Sequence, residues 1–462
     1  MLCWPSASWA FEPDVFGTES SVAETATRNM LGAVPCRMGE LPEQLTLEEV
    51  IERALCADPK TRQAWASAKV QAAQVGVSQS AYLPRLDGSA GVGSKRSNLD
   101  YDNDDLSRDD TQHQKQASLN LSWTLLDFGR RGAALRNARE LLVAANANQD
   151  AVLQDSFVRV ADNYYQALAA QRSLAASVQV AQMADENLRA ADAKFKAGAA
   201  ALSDQLQAQT AFSKARLSQE RKAGALRNAL GSLALLMGFA PETPLALADN
   251  LKVLPDVHFV TAVDDLLEQA RKDHPSLLAA RARLHAAEAA LDQSRAEGRP
   301  TLSLTAGLAT SQLGQPDYPN GGDMRQRDKS IGLELKIPLF EGFERTYRTR
   351  GALAGVERSQ AEIADAEQQL SLEVWASYQA LSVETQSLRR TSELVEQSRQ
   401  TLEVIQGRYH SGVGSMLELL SALSAFADAE DQDIQSLSNW QSARLKLASS
   451  LGRLGVWAVK TP

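Results

Sequence analysis

Apolar and polar residues alternate in four short segments of the chain. Two of these segments lie at about 85–97 and 116–127, and two more at about 300–311 and 329–340. Each is roughly 10 residues long, the length at which a tilted strand crosses a bilayer. Strict alternation is equally typical of a half-buried sheet in a soluble protein. The pattern therefore predicts four β-strands in two hairpins, and taken alone it favours a sheet in a soluble protein.

Each predicted hairpin precedes a very long helical segment. The first runs from about Gly132 to Lys196, and the second runs from about Arg345 to His410. Both are free of proline, which costs about 3 kcal/mol inside a helix. At about 1.5 Å per residue, each helix would be roughly 100 Å long. Two further helices are predicted from about Ser203 to Met237 and from about Met416 to Leu451.

The starts of the shorter helices carry capping signals. Thr46, followed three positions later by Glu49, predicts a capping box in which two backbone N–H groups are satisfied reciprocally. Pro59 and Pro275 predict two more helix starts, because proline fits the first turn of a helix.

The sequence contains an internal duplication. Tyr164 recurs as Tyr378 and Gly198 recurs as Gly412, and both pairs are 214 residues apart. Upstream the offset becomes 216 residues, so the two copies differ by two residues in or beside the first hairpin. Each copy reads as helix, β-hairpin, very long helix, tight turn and long helix. Such a duplication predicts a pseudo-symmetric pair of structural repeats.

The duplication and the turn signals divide the chain into six segments. They are a signal-peptide remnant at 1–10, an extended N-terminal segment at 11–44, the first repeat at 45–240, a linker at 241–260, the second repeat at 261–455 and a tail at 456–462. The remnant is inferred from its end, which has the small residues of a cleavage site, and we expect its charged start to be missing.

The three cysteines lie near the N-terminus. Cys3 is not expected to carry a lipid, because Leu2 replaces the small residue that normally precedes a lipidated cysteine. Cys36 and Cys56 could form a disulfide in an oxidising compartment, or could remain two separate thiols.

Composition and charge exclude several classes of protein. The net charge of −9 and the lack of a basic stripe with interleaved aromatic residues argue against nucleic-acid binding. The five histidines are scattered without ligand spacing, so neither a metal nor another cofactor is expected. No serine, cysteine or histidine arrangement indicates an enzyme. No apolar run reaches the roughly 18 residues that a membrane-spanning helix needs.

The number of strands predicts an oligomer if the sheet lies in a membrane. Four strands cannot close a barrel, and an open sheet in lipid leaves unpaired backbone groups at its edges. Three copies would supply twelve strands and twelve helical passes. The fold expected is therefore mostly α with a small β part. Three copies could close a 12-stranded barrel, which their twelve helical passes could continue as a cylinder.

Several motifs resemble those of outer membrane efflux proteins, the family of TolC-like channel-tunnels. They are the helix start at 45–55, Leu-Leu-Asp-Phe-Gly-Arg-Arg at 125–131, Pro-Leu-Phe-Glu-Gly at 338–342, and the Phe/Tyr-x-x-x-Gly turns at 195–198 and 409–412. The ordered set, in two copies, covers about residues 45–455.

The resemblance implies a homotrimeric 12-stranded outer-membrane β-barrel, continued by a 12-helix α-barrel that forms a coiled-coil tunnel. Such a protein would be a passive conduit in the outer membrane with a long periplasmic extension. Its expected partners are two further copies of the chain, outer-membrane lipid, a periplasmic adaptor (membrane fusion) protein and an inner-membrane ABC or proton-driven pump. Absence of a lipidation cysteine favours the type I branch, which secretes proteins such as toxins. The alternative within the family is drug or metal efflux.

The resemblance also assigns roles to the two helix–helix turns. Glu418 lies at the position of an acidic selectivity ring, and Asp204 corresponds to an acid that is latched by the counterpart of Tyr409. The turn tips, where an adaptor would dock, contain Gly198, Gly412 and Phe195.

Two departures from the family pattern weaken this assignment. Ser421 replaces a second acid of the ring, and Gly414 replaces an arginine partner of the latch. Alternatively, Glu418 and Asp204 are ordinary carboxylates in the first turn of a helix, where the helix dipole favours them.

A protein of another class remains as a competing hypothesis. A soluble periplasmic coiled-coil scaffold or adaptor would account for the helices. It would leave the four alternating strands and the export signal without a role.

Overall fold

The computed structural model describes residues 14–22, 36, 41–100, 102, 108–249, 263–314, 324–452 and 454. The proposed signal-peptide remnant and tail lie outside the described residues, as do most of the extended N-terminal segment and of the linker. The chain divides into two compact units. One contains residues 1–21, 69–144 and 281–362, and the other contains residues 22–68, 145–280 and 363–462.

Helices of equal length form the two repeats. The helices are α1 Leu47–Ala57, α2 Pro59–Ser80, α3 Arg130–Lys196, α4 Leu202–Leu236, α5 Val263–Asp273, α6 Pro275–Ala296, α7 Glu344–His410 and α8 Met416–Ser450. Lengths of 11, 22, 67 and 35 residues occur in that order in each repeat. None of the described helices is apolar over a stretch long enough to span a bilayer.

The four strands form one antiparallel sheet. They are β1 Arg85–Leu99, β2 Arg108–Leu126, β3 Thr301–Gly314 and β4 Met324–Lys336, paired in the order β1-β2-β3-β4. The two hairpins therefore extend beyond the predicted strands, into segments expected to be polar loops. Polar side chains do not prevent this, because a strand pairs through its backbone and its ends can lie in water.

The core of the second unit is built around α3. Phe157, Leu153 and Leu168 are fully buried against Ile51 and Leu55 of α1. The α3 side chains follow a helical spacing, so one face of this long helix carries the cluster.

Tyr164 joins this core to the backbone on either side of it. Its hydroxyl lies 3.3 Å from the carbonyl oxygen of Leu45 and 3.2 Å from that of Ala248. Leu45 also forms a parallel bridge with Leu247. Burial raises the pKa of Tyr164 to about 12, so its hydroxyl remains a donor.

The capping box predicted at the start of α1 is confirmed. The N–H of Thr46 donates to Oε2 of Glu49 at 3.0 Å, and the N–H of Glu49 donates to Oγ1 of Thr46 at 3.4 Å. The cysteine pairing that the sequence left open is also resolved, since Cys36 and Cys56 form a disulfide.

A buried polar network caps α2 in the first repeat. Asp58 accepts the N–H of Lys60 at 3.0 Å and the hydroxyl of Ser156 at 2.8 Å, and it pairs with the guanidinium of Arg159. The Asp58 side chain is 8% exposed. A carboxylate buried this deeply needs such partners, because an unpaired buried charge is costly.

The second repeat keeps the cap but changes its chemistry. His274 occupies the place of Asp58, and its Nδ1 accepts the N–H of Ser276 at 3.3 Å. Burial lowers the pKa of His274, which favours the neutral imidazole needed for this bond. Glu373 occupies the place of Arg159, and desolvation followed by the charge of Asp155 raises its pKa. The two repeats thus share a backbone but not an ion pair.

Replacing Asp58 with alanine should strongly destabilise the fold, because it leaves the Arg159 charge and two donors without their acceptor. We expect a loss of about 3 kcal/mol in the free energy of unfolding, measured by denaturant titration of the purified protein. The control is Asp87→Ala, which removes an exposed pair with Arg85 and should cost less than about 1 kcal/mol. Equal losses in the two variants would contradict the network.

Candidate functional site

The two helix–helix turns have the same backbone geometry. At the end of α3, the N–H of Ala199 donates to the carbonyl of Lys194 at 2.8 Å, and the N–H of Gly198 donates to that of Phe195 at 2.9 Å. Gly198 has a φ of 72°, in the left-handed region. These two bonds define a Schellman motif, which ends a helix and requires glycine at this position.

The turn at the end of α7 repeats this arrangement. The N–H of Val413 donates to the carbonyl of Arg408 at 3.0 Å, and the N–H of Gly412 donates to that of Tyr409 at 3.1 Å. Gly412 has a φ of 81°. The sequence prediction that both glycines end a helix is confirmed.

Gly414 marks a difference between the turns. A Cβ at this position would lie 3.0 Å from the backbone nitrogen of Tyr409 and 3.2 Å from the carbonyl carbon of Arg408. The first repeat carries Ala200 at the corresponding place. A side chain at position 414 would therefore crowd the backbone at the end of α7.

Tyr409 lies in the core of the turn region and not on its surface. It is 3% exposed and belongs to an apolar cluster with Met416 and Leu419. The ammonium of Lys194 lies 3.9 Å from the centre of its ring and also donates to its carbonyl oxygen. The lysine therefore ties the end of α3 to the end of α7 by a cation–π contact and a hydrogen bond.

The hydroxyl of Tyr409 is buried, and it has no hydrogen-bond partner within the part of the chain that the structure describes. Burial raises the pKa of Tyr409, and the negative charge of Asp204 adds to the rise. The structure thus brings Asp204 within electrostatic range of this tyrosine without forming a hydrogen bond. Asp204 itself is partly buried in the first turn of α4.

Glu418 forms a capping box at the start of α8. Its N–H donates to Oγ of Ser415 at 3.2 Å, and its carboxylate accepts the N–H of Ser415 at 3.4 Å. This is the role expected of a carboxylate in the first turn of a helix. Glu418 remains exposed, so its charge also faces solvent. The first repeat lacks the box, because Ala201 is the N-cap of α4.

The remaining predicted residue, Phe195, is 37% exposed at the end of α3. It lies near a small polar group, in which Asp192 accepts from Lys196 at 2.7 Å and from Gln205 at 2.9 Å. Above the turns, a groove of about 540 Å³ runs between α4 and α8, with Val180 and Ala184 of α3 lining it.

Sequence reasoning missed Lys194 as a partner of Tyr409. The basic last turn of α3 was visible, and basic residues there are usually explained by the helix dipole alone. Only the packing of α3 against α7 shows that this lysine contacts the second repeat.

The profile that describes outer membrane efflux proteins matches residues 50–239 and 266–453 of the chain. The chain belongs to this family. Its members are channel proteins of the outer membrane with a periplasmic tunnel, and the same fold and location apply here.

Individual relatives cover most of the chain. Protein CyaE of Bordetella pertussis is 33% identical over 413 residues, which is 89% of this chain and 85% of that protein. The outer membrane protein TolC of Vibrio cholerae is 23% identical over 408 residues, or 88% of this chain and 91% of that protein.

Solved structures of lower identity share the fold. The Campylobacter jejuni CmeC outer membrane channel superposes with a TM-score of 0.75 at 17% identity, covering 90% of this chain and 91% of that one. The outer-membrane channel OprN gives a TM-score of 0.74 at 20% identity, covering 88% and 89%.

Replacing Tyr409 with phenylalanine should raise the free energy of unfolding slightly, by up to about 1 kcal/mol, because a buried hydroxyl without a partner opposes folding. The matched control is Tyr164→Phe, which removes a hydroxyl with two acceptors and should cost about 1 kcal/mol. Thermal unfolding of the detergent-purified protein measures both. A loss for Tyr409→Phe would mean that its hydroxyl finds a partner in the assembled protein.

Proposed function

We propose that the chain is the outer-membrane conduit of a type I protein secretion system. Its 33% identity to CyaE exceeds its 27% identity to OprJ and to the toluene efflux pump protein TtgF. AprF of Pseudomonas aeruginosa, an alkaline protease secretion protein, is 26% identical over 305 residues, or 65% of this chain and 62% of that protein. The pattern of relatives favours a protein as the cargo, and drug or metal efflux is the second candidate.

The observation that best supports the conduit hypothesis is the open sheet. Its order leaves β1 and β4 as edges, and both carry exposed apolar residues, with Val92 at 83% and Ile331 at 80%. An apolar surface suits lipid, but unpaired edges in lipid cost several kcal/mol for each backbone group. Pairing β4 of one copy with β1 of the next removes both edges, and three copies supply twelve strands in a closed barrel.

The same closure arranges the helices. Each copy contributes α3, α4, α7 and α8, so a trimer brings twelve helices around one axis. Because α3 matches α7 and α4 matches α8 in length, the two turns of each copy can end at one level. In the trimer these turns form the periplasmic entrance. The tips at Phe195, Gly198 and Gly412 would then meet a periplasmic adaptor, which connects to an inner-membrane pump.

At this entrance, Glu418 supplies a ring of three carboxylates. Equal charges around a narrow axis repel anions and attract cations. Asp204 lies within electrostatic range of Tyr409 in the same turn region, and Lys194 contacts the ring of this tyrosine. The capping box fixes the carboxylate at the helix end, so the ring and the cap use the same side chain.

Replacing Glu418 with glutamine should lower the preference for cations in single-channel recordings. Glutamine serves in a capping box, so the helix start is kept while the charge is lost. Ser415→Ala is the control: it removes the box, costs about 1 kcal/mol of stability, and leaves the charge. If Glu418→Gln leaves the ion selectivity unchanged, the ring assignment is wrong.

The type of cargo is tested in the native host. A deletion strain should lose a large secreted protein from the medium and keep its resistance to drugs and metals, because the pump selects the cargo and the conduit only transmits it. Complementation of the deletion strain with the intact chain controls for effects of the deletion on neighbouring genes. A strain that becomes drug-sensitive with normal secretion would favour the efflux alternative.

A further inference from the structure

Two apolar residues near the N-terminus are exposed on a turn that hydrogen bonds stabilise. Val15 is 77% exposed and Phe16 is 39% exposed. The turn is closed by the N–H of Gly17, which donates to the carbonyl of Asp14 at 3.1 Å. The Asp14 carboxylate accepts the N–H of Glu19 at 2.7 Å, which holds the pKa of Asp14 below its usual range. A short 3₁₀-helix, Thr18–Ser21, follows.

This turn is attached to α2 in a defined direction. Gly76 lies so close that a Cβ there would be 3.7 Å from Oγ1 of Thr18 and 3.9 Å from the ring of Phe16. The Glu19 carboxylate lies 3.6 Å from the ammonium of Lys69. The segment therefore runs antiparallel to α2, and the apolar turn lies towards the end of α2 that leads into β1.

Exposed apolar residues continue from this turn to the base of the sheet. Val77 on α2 is 59% exposed, and Leu83, between α2 and β1, is 54% exposed. Trp123 of β2 is 38% exposed and its indole N–H donates to the carbonyl of Tyr82 at 2.9 Å. An indole that is apolar on its body and hydrogen-bonded at one edge is typical of a membrane interface.

We propose that Val15 and Phe16 insert into the periplasmic leaflet of the outer membrane and anchor the N-terminal segment there. The inference rests on the proposed membrane position of the strands, with which the apolar surface is continuous. The turn contacts α2 at Gly76, about one helical turn before α2 ends at Ser80, and four further residues lead to Arg85 at the start of β1. Its neighbouring charges are Asp14 and the Glu19–Lys69 pair, which leave no excess of positive charge, so the surface suits zwitterionic phospholipid and not an anionic leaflet.

A trimer would carry three such anchors on one rigid body. Two apolar side chains contribute little membrane affinity alone, as the weak binding of single lipid chains illustrates. When the strands already hold the protein in the bilayer, each turn binds at a high effective concentration. The anchors then determine how the β1 end of α2 is positioned relative to the membrane, while the strands hold the protein in the bilayer.

Fluorescence quenching by lipid tests the proposal on the full-length protein. Val15→Cys, in a Cys3→Ser background that keeps the Cys36–Cys56 disulfide, is labelled with a nitrobenzoxadiazole fluorophore. The trimer is then reconstituted into phosphatidylcholine vesicles with brominated acyl chains. We expect emission at shorter wavelength and at least about twofold quenching relative to unbrominated vesicles, because the label enters the interfacial region.

Two further labels make the outcomes distinguishable. Ser20→Cys lies on the same segment, beyond the turn, and should not be quenched. Ile331→Cys on β4 should be quenched if the strands cross the bilayer. Quenching at 331 without quenching at 15 overturns the anchor and leaves the proposed function intact. A short-wavelength emission at 15 without quenching means that protein covers the turn, which also overturns the anchor. Absence of quenching at 331 contradicts both the proposed membrane position of the strands and the anchor.

Discussion

An unpaired sheet edge cannot persist in lipid, and this constraint determines the rest of the molecule. The chain forms a sheet of four strands in the order β1-β2-β3-β4, which is too few to close on itself. Closure therefore requires further copies, and the helices that continue from each hairpin must then fit around the same axis. Helices that close one cylinder must match in length. The matched lengths of 67 and 35 residues in the two repeats satisfy that requirement.

The constraint acts on the backbone and leaves the side chains free to diverge. At the start of α2 and of α6, a side chain accepts the N–H of the residue two positions later. This side chain is Asp58 in the first repeat and His274 in the second. The first pairs its buried carboxylate with Arg159, and the second uses an imidazole and has Glu373 at the place of that arginine. The helix–helix turns show the same rule: both are Schellman motifs, but only the second has a capping box. Duplication fixed the geometry, and each half then acquired its own chemistry.

Sequence patterns predicted those parts of the fold that local interactions determine. Helix ends depend on caps, glycine and proline within a few residues, and the bounds of the four longest helices lie within one or two residues of the predicted ones. On the loop side of each hairpin the strands extend further than predicted, because alternation marks only the part of a hairpin with an apolar face. At its other end β4 stops at Lys336, before the predicted residue 340. Contacts between distant segments were not predictable in this way. The pairing of Lys194 with Tyr409 depends on how α3 packs against α7, and the exclusion of a side chain at Gly414 depends on a backbone approach of 3.0 Å.

The candidate entrance combines a local role and an assembly role in one residue. A carboxylate used only for capping could occupy the first turn of any helix, and it would need no particular position relative to other copies. A carboxylate used as a charge ring must be exposed, and it must lie at one level in the three copies. Glu418 is compatible with both roles, since Ser415 bonds to its side chain at the start of α8 while the carboxylate remains exposed. A charge at a helix end keeps its position relative to the turn. The level of the turn is set by the matched helix lengths of the two repeats. The precision that a three-fold ring requires is thus supplied by the same constraint that closes the sheet.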